Sequence, residues 1–110
     1  MSQVINSGGI YHAEDDSWTV TSTDNAPLAR YRAKAVWTGA DMIVWGGLDN
    51  SILHNTGGRF NPALNSWAPT STVNAPLARQ NHTAIWTGEM MIIWGGVNEN
   101  YLDTGGRYWP

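Results

Sequence analysis

The chain repeats itself, and the length of the period constrains its fold more than any other feature. Setting Gly8-Gly9 on Gly57-Gly58 carries Trp18 onto Trp67, Trp37 onto Trp86 and Trp45 onto Trp94, each by an offset of 49 residues. Residues 8–47 and 57–96 agree at 22 of 40 positions, including Asn25-Ala26-Pro27-Leu28-Ala29-Arg30 against Asn74-Ala75-Pro76-Leu77-Ala78-Arg79. A period of roughly 20–50 residues marks a unit that buries its apolar surface by stacking on its like. After Gly47 and Gly96 the copies differ by one residue in length, which predicts a loop there. A third copy opens at Gly105-Gly106-Arg107-Tyr108-Trp109-Pro110, so the 110 residues hold two periods and a short remainder that duplicates Gly8–Ala13.

Within each period no stretch keeps the apolar spacing of a helix, and short β-rich runs alternate with Gly, Pro, Asn and Ser. Arg30–Thr38 leads through Gly39-Ala40 into Met42–Trp45, and Arg79–Thr87 leads through Gly88-Glu89 into Met91–Trp94, a pattern that predicts hairpins. Met42-Ile43-Val44-Trp45 and Met91-Ile92-Ile93-Trp94 are apolar on both faces, so those strands are expected to be covered on both sides. A third strand is expected around Gly57–Asn61 and a fourth over Ser66–Thr70, with the same plan at 8–22. Four short antiparallel strands per period, stacked between similar units, describe blades of a β-propeller.

The double glycine, the run Phe60-Asn61-Pro62 leading to Asn65 and Trp67, and Arg79 three residues before His82 together resemble the kelch repeat. The form is the tryptophan-rich one of bacterial proteins, here with Trp-Thr-Gly at 37–39 and 86–88 and Trp-Gly-Gly at 45–47 and 94–96. The first copy departs from the pattern, with His12 and Ala13 in place of Asn61 and Pro62 and Ala33 in place of His82. The resemblance implies an all-β, kelch-type propeller with blades of four antiparallel strands, the first strand innermost and the Trp-bearing strand outermost. Residues 1–110 then form a single two-blade unit. Strands three and four of a shared blade come from 8–22, a complete blade from 28–70, and strands one to three of another shared blade from 77–110. Trp18, Trp37, Trp45, Trp67, Trp86 and Trp94 are expected to pack blade on blade.

One chain of this kind does not close a ring. A buried Trp hides roughly 150–250 Å², worth up to about 4–6 kcal/mol, so two or three uncovered tryptophans forfeit an amount comparable to a domain's stability of about 5–15 kcal/mol. Homo-oligomerisation is therefore expected, through a head-to-tail interface that closes by rotation and shares a blade by strand exchange. Two blades per chain allow a trimer of six blades or a tetramer of eight, and six is the commoner number among kelch propellers. The duplicated third strand sets Gly8–His12 against Gly105–Trp109 for one place.

Composition narrows the functional classes. The absence of cysteine excludes disulfides, thiol nucleophiles and Cys-based zinc sites. A net charge of −3 with scattered cations leaves no basic footprint for nucleic acid. No apolar run reaches the ~18–20 residues of a membrane span, and the start lacks the features of a signal peptide, so localisation stays open. No catalytic motif or cofactor signature is present, Glu14-Asp15-Asp16 reads as a solvated turn, and no metal or cofactor is expected. Arg30 and Arg79 start the innermost strands and offer a small acidic ligand a guanidinium, or else tie down their own loops. Asp49, Asn50, His54, Asn98, Glu99 and Tyr101 line the loops on the same face as further ligand candidates. Asn81-His82-Thr83 fits a glycosylation sequon in a strand expected to be inaccessible. The expected role is thus that of a non-enzymatic, self-assembling propeller fragment or engineered subunit, acting as a structural or ligand-binding scaffold, with a carbohydrate-binding, lectin-like module as the alternative.

Overall fold

The computed structural model describes residues 3–110, and every regular element in that span is a β-strand. In chain order these are β1 (Gly9–His12), β2 (Ser17–Val20), β3 (Lys34–Trp37), β4 (Met42–Trp45), β5 (Leu48–Asp49), β6 (Ile52–Leu53) and β7 (Gly57–Asn61). They continue with β8 (Ser66–Pro69), β9 (Thr83–Trp86), β10 (Met91–Trp94), β11 (Val97–Asn98), β12 (Asn100–Tyr101) and β13 (Gly105–Tyr108). All pairings between them are antiparallel.

Three sheets follow one another along the chain. β1 and β2 pair alone, β3-β4-β7-β8 form a four-stranded meander, and β9, β10 and β13 form a three-stranded sheet with β10 in the middle. The double glycines have a clear cause in this topology. Gly57 lies opposite Trp45, and a Cβ there would run into the Val44 carbonyl oxygen; Gly105 stands in the same relation to Ile93. Only glycine lets β7 and β13 approach the neighbouring strand this closely. The hairpin turns are closed by Thr38 and Thr87, whose hydroxyl oxygens accept from the backbone of Asp41 and Met90.

Two expectations need correction. The first strand of each hairpin begins later than the sequence pattern predicts, at Lys34 and Thr83 rather than Arg30 and Arg79. Arg32 (φ +59°) and Asn81 (φ +55°) adopt the left-handed conformation, which breaks an extended run, and Tyr31 pairs with Leu48 instead. Asn81 is accordingly exposed rather than inaccessible. The segments expected to be loops also fold back as the small hairpins β5-β6 and β11-β12.

The core lies between the central and the three-stranded sheet. Val36, Ile43 and Trp45 on one side meet Met91 and Ile93 on the other, with Ala84, Trp86 and Tyr108 packed around them. Among the described residues no helix is long and apolar enough to cross a membrane.

Candidate functional site

The two arginines nominated for ligand recognition are both turned inward. Arg79 is 1% exposed, and its Nε donates to the Leu77 carbonyl. One terminal nitrogen donates to the carbonyls of Gly95 (2.9 Å) and Thr104 (2.6 Å), and the other to the Thr104 hydroxyl (3.2 Å). Arg30 repeats the arrangement on Leu28, Gly46 and Thr56 while half-buried. Four of the five N–H donors of each guanidinium are thus engaged by its own repeat. Each arginine fastens the end of the second strand to the start of the third.

The remaining loop candidates lie in or beside the hairpins β5-β6 and β11-β12. Asp49 is half-buried in β5, and Asn50 sits exposed at the β5-β6 turn with φ +46°. Burial, aided by the Arg30 charge and opposed by Asp49, pushes the His54 imidazole below its usual value. Asn98 donates to the Ala78 carbonyl at 2.6 Å, Glu99 is exposed in the β11-β12 turn, and Tyr101 is 93% exposed. Two separate open hollows lie beside these hairpins: Arg30, Tyr31, Asn50 and Ser51 are among the residues lining one of about 900 Å³, and Arg32, Gln80, Asn81, Glu99 and Tyr101 among those lining one of about 420 Å³. Arg32, which the sequence did not single out, donates to Gln80 at 3.1 Å across the two sheets and lies over the Tyr31 ring. Among the described residues no group of three metal-ligating side chains converges.

His82 is a structural plug at the seam between the two large sheets. It is buried, meets the Trp45 ring edge-on at 5.3 Å, and has no hydrogen-bond partner on either ring nitrogen. Burial is the main cause that lowers its pKa from 6.5 to about 4; the Arg79 and Lys34 charges add to it, and the Trp45 backbone opposes it. The unfolded chain therefore binds the proton first as pH falls. The contribution is complete above about pH 6.5 and is lost as the pH falls through the folded value. Between pH 7 and 5 this amounts to a loss on the order of 2 kcal/mol. Chemical denaturation across that range is expected to show the loss, and His82→Phe to flatten it; the residual slope has the sign of the lowered His54. A pH-independent wild-type midpoint would contradict a neutral buried imidazole.

The widest unsatisfied surfaces are sheet faces. Trp45 is 3% exposed, but its repeat equivalent Trp94 is 55% exposed, and Ile85 is exposed where Val36 is buried. On the opposite flank Trp37 is exposed, and Ala35, Met42 and Val44 are less covered than Ala84, Met91 and Ile93, except that Ala84 is itself half-buried. A groove of about 260 Å³ opens there between the first two sheets, lined by Ile5, Leu28, Ala33, Met42, Val44 and Trp67 among others. The outer strands show the same asymmetry. Trp67 donates its indole N–H to the Ser22 carbonyl at 2.9 Å, and Asn65 grips the same segment through Ser22 N and the Val20 carbonyl. Trp18, the counterpart of Trp67, is 71% exposed. Of the six tryptophans expected to pack between blades, Trp45 is buried, Trp67 and Trp86 are half-buried, and Trp18, Trp37 and Trp94 are exposed in the single chain. No family model matches the chain, and no curated protein matches it.

Proposed function

We propose that the chain is a non-enzymatic assembly subunit whose copies join head to tail into a closed ring of kelch-like propeller blades, serving as a structural scaffold. The complementarity of its two open faces carries this reading. Ile85, Ile92 and Trp94 repeat Val36, Ile43 and Trp45, while Ala35, Trp37, Met42 and Val44 repeat Ala84, Trp86, Met91 and Ile93. Inside the chain Val36, Ile43 and Trp45 are covered by Ala84, Trp86, Met91 and Ile93, so by repeat equivalence each open face is the natural cover of the other on a neighbouring copy. Such an interface is heterologous and makes a ring when its rotation closes.

Strand exchange completes the shared blade. β2 of the next copy adds to the free edge of β13 in the register that β8 holds on β7, which sets Trp18 beside Tyr108 as Trp67 lies beside Phe60. β1 of the incoming copy competes with β13 for this place. Arg79 anchors β13 through Thr104, whereas Ser7 at the matching place before β1 receives no arginine among the described residues. β1 is therefore the strand that yields. Three chains make six blades and four make eight.

Mixing chains that carry Asp16→Cys with chains that carry Ser71→Cys tests the direction of docking, because the natural sequence has no cysteine. These positions are the equivalents of Asn65 and Ser22, which lie 2.8 Å apart at their bonded atoms within one chain. A short bis-maleimide is expected to yield covalent pairs containing one chain of each kind. Associated chains that never cross-link there would contradict head-to-tail docking.

A further inference from the structure

A ring built in this way contains two kinds of seam, and one residue distinguishes them. Positions 33 and 82 occupy the same place in their sheets: a Cβ on Gly47 would lie 2.9 Å from Ala33 N, and one on Gly96 would lie 2.9 Å from His82 N. Inside the chain the His82 ring fills the space over Trp45 and Gly46, so closely that a Cβ on Gly46 would sit 2.5 Å from His82 Cε1. Between copies, Trp94 and Gly95 of one chain face Ala33 of the next. The space over Gly95 is open, since a Cβ there would meet nothing nearer than the Leu102 carbonyl oxygen at 3.7 Å.

We infer that each seam between copies encloses a binding cavity about the size of an imidazole ring, bounded by Trp94 and Gly95 of one copy and Ala33 of the next, for a small, flat, uncharged heteroaromatic molecule. The inference rests on the head-to-tail reading and goes beyond it to a ligand class. Its lining explains the selectivity. Trp94 offers an aromatic face or edge as Trp45 does to His82. In the equivalent place the His82 nitrogens make no well-formed hydrogen bond, the Trp45 backbone being the one group near enough to favour a ring N–H, so the site asks for no strong hydrogen bond. Arg30 of the next copy stands where Arg79 stands beside His82, and a cation is disfavoured there. Ala33 already borders the open groove described above, which the incoming sheet would roof over.

Imidazole in alkaline buffer, where it is neutral, is the probe, read by the thermal midpoint of the assembled full chain and by its association constant. Imidazole is expected to raise the midpoint of the wild-type assembly. Ala33→His is expected to tighten association about tenfold, as cavity filling does, and to remove the response to imidazole. Wild-type rings that ignore imidazole, together with Ala33→His chains that associate no more tightly, would overturn the cavity while leaving the ring intact. Should Ala33→His fail to fold, the wild-type response to imidazole decides alone. A wild-type particle of one chain would overturn the assembly itself, and the cavity with it.

Discussion

Trp45→Ala is expected to cost the dilute chain about 3–5 kcal/mol, while Trp94→Ala leaves its stability nearly unchanged and weakens association instead. The two residues are one repeat apart and chemically identical, so only their surroundings separate them. Trp45 is wedged in the core against His82 and beside Met91 and Ile93. Its removal leaves a cavity that the flanking strands are too constrained to collapse. Trp94 projects from the far face with more than half its surface in solvent. As the largest apolar group of that face it is the anchor expected to dominate docking, and its loss should weaken association at least about thirtyfold. Denaturant midpoints at low concentration and sedimentation at high concentration read the two effects separately. Equal destabilisation of the dilute chain by both changes would mean that Trp94 is covered within one chain.

Arg79→Met is expected to be nearly as damaging, at about 3–5 kcal/mol. It leaves the buried Gly95 carbonyl and the part-buried Leu77 and Thr104 carbonyls and Thr104 hydroxyl without their donor. Each unsatisfied buried acceptor costs roughly 1–3 kcal/mol, part of which is regained where water enters. Arg79→Lys should rescue little, because an ammonium lacks the planar fork that reaches two strands at once. Arg30→Met should cost less, since the Arg30 side chain is itself half-buried whereas Arg79 is 1% exposed. Hydrogen exchange is expected to show β13 opening first in Arg79→Met. A variant of normal stability that had lost affinity for a carboxylate or phosphate ligand would instead place Arg79 in a binding site.

The residues that punctuate the repeat made much of the fold legible. β7 starts at the double glycine and ends at Asn61 before Pro62, and β8 carries Trp67, as the sequence predicts. β5-β6 and β11-β12 escaped notice because two-residue strands are shorter than any period a pattern can display. The late start of β3 and β9 was hidden for a different reason: Arg32 and Asn81 carry no sequence mark of a left-handed backbone beyond the tolerance of Asn for it. The roles of Arg30 and Arg79 turn on which carbonyls fold back to meet them. The repetition of Thr56 and Thr104 before each double glycine was the available signal. The difference between Trp45 and Trp94 lies wholly outside local sequence, since it depends on whether another sheet follows.

The docking account also separates stability of the chain from stability of the assembly. Inside one chain one face of the central sheet packs on the three-stranded sheet and its other face opens on a groove, whereas the three-stranded sheet leaves its far face, with Ile85 and Trp94, in solvent. Ile85, Ile92 and Trp94, which this leaves uncovered, have their repeat equivalents Val36, Ile43 and Trp45 already seated in the core, so a second seam needs no new chemistry.

Native mass spectrometry of the unmodified chain separates a closed ring from a lone subunit. A particle of three or four chains of 12.1 kDa each is expected, three giving a six-bladed ring, with no growth beyond the closed number. A single folded chain of 12.1 kDa at every concentration would contradict it.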